Sequence, residues 1–162
     1  MISYNDHTLD QYLAELSRRQ PVPGGGSAAA VSGALGAALI AMSARYALGK
    51  GKSEAVEQKI NEIVVAADAA RLSFLALAGR DAEAYQAVLQ TRKAANKAAH
   101  ALALAEAGRV PVDIMTLCQS CLQLAPYLYQ EGNPFLLSDV KAAEAFLKAG
   151  VAAARIMQEV NA

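Results

Sequence analysis

The sequence contains no tryptophan, only three phenylalanines and six tyrosines, so aromatics make up 6% of 162 residues. A core with so few large rings has to gain its contacts by bringing small side chains close together. Alternating Val/Ile/Thr runs are missing as well, which excludes a sheet and predicts an all-α fold from an alanine-rich chain. Charge of either sign is not in excess: Lys+Arg and Asp+Glu are both 15. A zero balance excludes binding to nucleic acid through phosphate neutralisation. No apolar leader opens the chain, where Ser3, Asn5, Asp6 and His7 stand instead. Together with two cysteines, too few for a disulfide scaffold, this predicts a reducing, cytoplasmic location.

Several catalytic signatures are absent. The two histidines, His7 and His100, belong to no Glu-x-x-His or His-Glu-x-x-His pattern, so no metal site is predicted. Cys118 and Cys121 are spaced Cys-x-x-Cys but lie within a helical, apolar stretch, without a preceding strand or a second pair. They are read as core thiols. No Gly-x-Ser-x-Gly elbow, P-loop or strand-borne dinucleotide fingerprint occurs. Acid–base chemistry is left to carboxylates, lysines and tyrosines.

What the sequence does have is Pro21-Val22-Pro23-Gly24-Gly25-Gly26-Ser27, followed by an uncharged run to Ala44. Three glycines let another group approach the main chain, and Ser27 stands where an N-cap belongs. Open N–H groups at a helix start favour an anion or an electron-rich ligand. A tight entry turn into a buried helix would explain the same residues. The helix predicted from Ser27 to Leu48 carries small residues on several faces, and Gly49 stops it. Its composition is too weakly hydrophobic for a membrane span, so it is read as a central buried helix.

The rest of the chain follows helical spacing. A first helix starts at Thr8, with Gln11 completing a capping box and Leu9, Tyr12, Leu13 and Leu16 on one face. Gly49-Lys50-Gly51-Lys52-Ser53 forms a basic connector. A third helix runs from Ser53 to about Gly79, and Asp81 is an N-cap candidate for the next, Ala82 to Ala107. Asp81 and Tyr85 share a face of that helix. Thr91 to Lys97 weakens the pattern and predicts a kink or short loop. Pro111 starts another helix, Pro126 kinks it and Gly132 ends it. Asn133-Pro134 and Ser138-Asp139 lead into a last helix through Val160. Alanine-rich helices bury little area each, so part of the burial is expected from a partner subunit.

The order of these pieces resembles the formiminotransferase-cyclodeaminase C-terminal domain family, across about residues 8 to 160. The carriers are Pro23-Gly24-Gly25-Gly26-Ser27 with its Ala/Gly helix to Ala47-Leu48-Gly49-Lys50, Asp81-Ala82-Glu83-Ala84-Tyr85, and Gly132-Asn133-Pro134 with Ser138-Asp139. The resemblance implies a single helical domain over 1–162, a bundle around the Ala/Gly-rich helix, that forms a homodimer and binds a tetrahydrofolate derivative. It implies methenyltetrahydrofolate cyclohydrolase activity first, with formiminotetrahydrofolate cyclodeaminase activity as the alternative, and no cofactor beyond the folate. A folate-binding helical dimer without turnover, or one turned to another chemistry, is a further alternative. Laid onto this chain, Asp81, Asp139 and Tyr85 become the catalytic candidates. Pro23, Gly24, Gly25, Gly26, Ser27, Lys50, Lys52, Asn133 and Ser138 become substrate-binding candidates, with the lysines on the glutamate tail.

Overall fold

The computed structural model describes residues 2–94 and 96–161, apart from the side chain of Asn161. Among these residues every regular element is helical: α1 (Leu9–Leu16), α2 (Gly25–Arg45), α3 (Glu54–Lys93), α4 (Lys97–Leu122), α5 (Ala125–Glu131), a 3-10 turn (Pro134–Leu136) and α6 (Leu137–Asn161). The capping box of Thr8 and Gln11 forms as expected. Tyr12, rather than its leucine neighbours, is the buried residue of α1; Leu9 and Leu13 are exposed.

Helix α2 is the axis. It packs against α3 and α6 along its length, with α4 and α5 touching it as well. Of its residues Ala29, Ala30, Ala37, Ile40, Ala41 and Ala44 are essentially inaccessible. Glycine sets the closest approaches. A Cβ on Gly33 would stand 2.5 Å from the Phe74 ring of α3, and one on Gly36 would stand 2.6 Å from Leu147 of α6. The helix is long and apolar enough to cross a membrane, yet 61% of its apolar window is buried against the other helices. It is a core helix, for the reason its small residues suggested: neighbours surround it at short range.

Several boundaries differ from expectation. Helix α3 runs unbroken for 40 residues through Gly79 to Lys93, with Ala94 as its C-cap, and Asn96 is the N-cap of α4. The local helix-stop signal of Gly79 is overridden by packing. A side chain at Gly79 would meet the Ile2 carbonyl, 2.1 Å from its Cβ, so the glycine admits a crossing backbone. Pro111 lies inside α4 rather than at a start. Pro126 sits in the first turn of the separate helix α5, which Gly132 ends. Gly24, not Ser27, is the N-cap of α2.

Candidate active site

The unbroken course of α3 changes the meaning of Asp81. A carboxylate at a helix start is ordinarily a cap, but Asp81 lies in mid-helix and its partner is another helix. Its Oδ2 accepts the backbone N–H of Ser27 at 2.9 Å. Ser27 is fully buried in the first turn of α2. The anion favoured by that helix start is thus supplied by the protein itself. A Cβ on Gly26 would stand 2.0 Å from Asp81 Oδ1, so only glycine admits the carboxylate here. The third of the loop glycines, Gly26, is buried for this reason; Gly24 is the cap and Gly25 lies at the surface.

Two influences act on Asp81 in opposite directions. Burial pushes its carboxyl above the usual carboxylate range, while the Ser27 N–H holds it down; burial wins. Such a group exchanges protons nearer neutrality than a solvated aspartate does. It borders a cavity of about 210 Å³ lined by Pro21, Val22, Gly24–Gly26, Asp81, Tyr85, Ala107, Met157 and Val160. Lining of this kind is mostly apolar, with one ionisable carboxylate and the exposed Tyr85 on the same face of α3. The cavity therefore suits a largely apolar ligand carrying positive charge or N–H donors where Asp81 meets it.

The remaining candidates lie elsewhere. Pro23 is buried behind the loop, after a cis peptide bond. Lys50, Lys52 and Asn133 line a second cavity of about 400 Å³, with Tyr46, Gly132 and Phe135. Ser138 and Asp139 stand in the first turn of α6. Met157, eighteen residues further along the same helix, reaches the Asp81 cavity. At 1.5 Å per residue Asp139 and Met157 are about 27 Å apart along α6. One chain therefore unites Asp81 and Tyr85 with the glycine loop, but not with Asp139, Lys50, Lys52, Asn133 or Ser138. Asn133 has a local duty, since its Oδ1 accepts the Phe135 N–H at 3.0 Å. Lys52 Nζ lies 3.3 Å from Glu131 Oε2.

Ala107, Met157 and Val160 were missed as lining residues. Val140, Ala143, Leu147, Val151 and Ala154 give α6 its apolar spacing, and Met157 continues it, so the signal was present but indistinguishable from core. Among the described residues no group of three or more His, Cys, Asp or Glu side chains stands ready for a metal ion. Cys118 and Cys121 are buried free thiols.

The formiminotransferase-cyclodeaminase family model matches residues 8–162. Among curated proteins, a methenyltetrahydrofolate cyclohydrolase of Methylorubrum extorquens is 32% identical over 166 residues, covering 97% of this chain and 80% of that protein. The formimidoyltransferase-cyclodeaminase of Mus musculus is 31% identical over 155 residues, covering 90% of this chain and 29% of that longer protein. Among solved structures, the formiminotetrahydrofolate cyclodeaminase of Thermotoga maritima superposes with a TM-score of 0.90 at 30% identity, over 95% of this chain and 77% of that one. The chain belongs to the formiminotransferase-cyclodeaminase family.

Proposed function

We propose that this family member is an enzyme of folate one-carbon metabolism, a methenyltetrahydrofolate cyclohydrolase. It adds water to 5,10-methenyltetrahydrofolate and releases 10-formyltetrahydrofolate. The observation that carries this reading is the Asp81 carboxylate, held by the Ser27 amide at the edge of an apolar cavity. The substrate's bridge carbon lies between N5 and N10 in a flat, delocalised cation. A partly desolvated carboxylate attracts such a cation more strongly than a solvated one does. As water attacks the bridge carbon, Asp81 takes one of its protons and delivers it to N5. The carbon–N5 bond breaks, the second water proton leaves to solvent, and the formyl group remains on N10. Tyr85, on the cavity rim one turn along α3, stacks on a ring of the substrate or orients Asp81. No metal or redox cofactor enters these steps, and the folate and water are the only small molecules required. Cysteine usage supports a cytoplasmic setting for the reaction.

The cavity in one chain is smaller than the roughly 300–1,000 Å³ of a drug-sized ligand site. We propose that a second copy completes it. The surface stripe of α2 runs Gly24, Ala28, Val31, Leu35, Ala38, Met42 and Tyr46, a helical spacing with Leu35 49% and Tyr46 56% exposed. Two such stripes paired antiparallel about Ala38 bring the Lys50–Lys52 end of one chain to the glycine loop of the other. The lysines and Asn133 then meet the substrate's glutamate carboxylates across the homodimer.

The same cavity suits the cyclodeaminase reaction, in which N10 attacks the formimino carbon on N5 and ammonia leaves. The structural likeness to the Thermotoga protein favours keeping this second reading. The test follows the absorbance of 5,10-methenyltetrahydrofolate with purified protein against the buffer-catalysed rate. Acceleration that disappears in Asp81→Asn supports the hydrolase. Binding without acceleration, measured by calorimetry, leaves a folate-binding helical dimer, unless formiminotetrahydrofolate is turned over instead.

A further inference from the structure

Behind Asp81 a hydrogen-bonded connection reaches out of the cavity into α1. The Tyr12 hydroxyl lies 3.0 Å from Ser27 Oγ, and Ser27 donates its N–H to Asp81. Tyr12 is only 6% exposed and Ser27 is fully buried. Three separate stretches of chain, α1, the start of α2 and the middle of α3, are therefore joined through one serine.

The N-terminal segment braces this junction from outside. Tyr4 packs edge-on against the Tyr12 ring, with centroids 5.3 Å apart at 78°, and against His7 at 5.4 Å and 68°. His7 Nε2 lies 3.2 Å from Glu15 Oε1 on α1. The Ile2 N–H donates to the Glu83 carboxylate, two residues beyond Asp81, while the Ile2 carbonyl crosses α3 at Gly79. The segment is thus tied to α3 on both sides of Asp81.

A buried tyrosine hydroxyl has to find a partner, and a phenylalanine would pack the same space without that demand. Here the partner is the residue whose amide holds the cavity's carboxylate. We propose that Tyr12 is a positioning residue for Asp81: its hydroxyl anchors the Ser27 side chain and so fixes the Ser27 amide against the carboxylate. The inference rests on the reading of Asp81 as the proton-transfer group. It concerns an element, α1, that supplies no lining residue of the cavity.

The titratable groups facing Asp81 are Tyr4 from the N-terminal segment, Tyr12 from α1 and Tyr85 from α3, while α4 and α6 present Ala107, Met157 and Val160. Glu15 acts on Tyr4. Burial raises both buried tyrosines, Tyr4 to about 12, so they stay neutral through the working range and Tyr12 keeps its proton for the hydrogen bond. The Ser27 N–H favours the ionised form of Asp81. Loosening Ser27 therefore favours the protonated form.

The experiment compares full-length wild type, Tyr12→Phe, Ser27→Ala and the double variant by two readouts. One is the titration of the Asp81 side-chain carboxyl followed by carbon-13 NMR. The other is kcat and KM for 5,10-methenyltetrahydrofolate across pH. Each single variant is expected to move the Asp81 midpoint and the acid limb of kcat to higher pH. Each is expected to lower kcat about fivefold with KM within about twofold, and the double variant to be no worse than either single one, as for two groups acting through one contact. Lower thermal stability with an unchanged Asp81 midpoint would make Tyr12 a packing residue and overturn the inference. A shifted midpoint in a protein that does not accelerate the reaction would support the positioning role and reject the substrate reading.

Discussion

The two ends of α2 offer the same kinds of residue and use them differently. At the N-terminal end, glycines, a serine and an aspartate come from distant parts of the sequence and are buried against one another. Asp81 is joined to Ser27 across 54 residues of sequence. At the C-terminal end, glycines, lysines and an asparagine lie on connectors, with Asp139 in the first turn of α6, and Gly49, Lys52 and Asn133 find partners close by in space. Gly49 donates to Glu57 at 3.0 Å, and Asn133 caps the turn that follows it. Gly49 and Gly51 adopt φ of 68° and 73°, with nothing near where a Cβ would be. Their glycines serve the turn itself; Gly26 serves its neighbour Asp81. A carboxylate withdrawn from water acquires altered proton affinity and a fixed direction, whereas exposed charges mainly recruit partners. The proposed function accordingly puts the chemistry at the first end and the capture of a charged tail at the second.

The largest effect expected from breaking this contrast is at Asp81 itself. Asp81→Asn keeps the size of the side chain and an acceptor for the Ser27 N–H but removes the exchangeable proton. Turnover of 5,10-methenyltetrahydrofolate is expected to fall by about 10²–10⁴, the usual contribution of general acid–base catalysis. In wild type, activity should decline as pH falls through the raised Asp81 pKa, because the base becomes protonated. Stability follows the same proton. A carboxyl raised above its ordinary 3.8 on folding contributes stability that is present below that value and lost as pH rises through the folded pKa. Denaturant titrations from pH 4 to 8 should show that component in wild type and not in Asp81→Asn.

Gly26→Ala is expected to be next. The added methyl would stand 2.0 Å from Asp81 Oδ1, so the carboxylate must leave its place. A displacement of about 1 Å costs on the order of 10²-fold in rate. Circular dichroism should still report a helical protein; complete unfolding would show that the loop's first duty is architectural.

The other end is probed through the dimer. Lys50→Ala with Lys52→Ala should raise KM about tenfold, equivalent to about 1.4 kcal/mol of binding, with little change in kcat. Leu35→Glu, on the surface stripe of α2, should give a monomer by sedimentation and the same rise in KM. Monomers with unaltered KM would separate the lysines from the folate site.

These outcomes bear on what could be read without coordinates. The helical class, the central role of α2 and the importance of Pro23–Ser27 were legible, because composition and glycine chemistry act locally. Asp81 and Tyr85 were legible as one face of one helix. The family's order of motifs made Asp81 a catalytic candidate, but its mid-helix contact with Ser27 was not legible, because Asp after Gly-Arg reads as a cap and nothing local reports that α3 continues through Gly79. Tyr12 was legible as apolar periodicity; its hydroxyl bond to Ser27 depends on the crossing of α1 and α2. Lys50, Lys52, Asn133, Ser138 and Asp139 were legible as a group in the family's order of motifs. Their separation from Asp81 is a matter of helix length, which the motifs do not encode.

The smallest functional effect is expected at the cysteine pair, although both residues are at the centre of the packing. Cys118 is fully buried, and its sulfur lies 3.0 Å from where a Cβ on Gly150 would stand. Burial pushes the Cys118 thiol up to about 12 and the Cys121 thiol up to about 11. Neither forms thiolate in the working range, so neither is a nucleophile there. Any stability tied to these protons is present below the ordinary thiol range and lost only as pH rises through the folded values. Replacing both with alanine leaves small voids between α4 and its neighbours, and a loss of about 1–3 kcal/mol in denaturant unfolding is expected. The rate with 5,10-methenyltetrahydrofolate should stay within about twofold, since the pair lies outside the cavity lining. A large loss of rate with stability intact would move the chemistry away from Asp81 and into the core, where the cysteines and not the glycine loop would have to supply the reactive group.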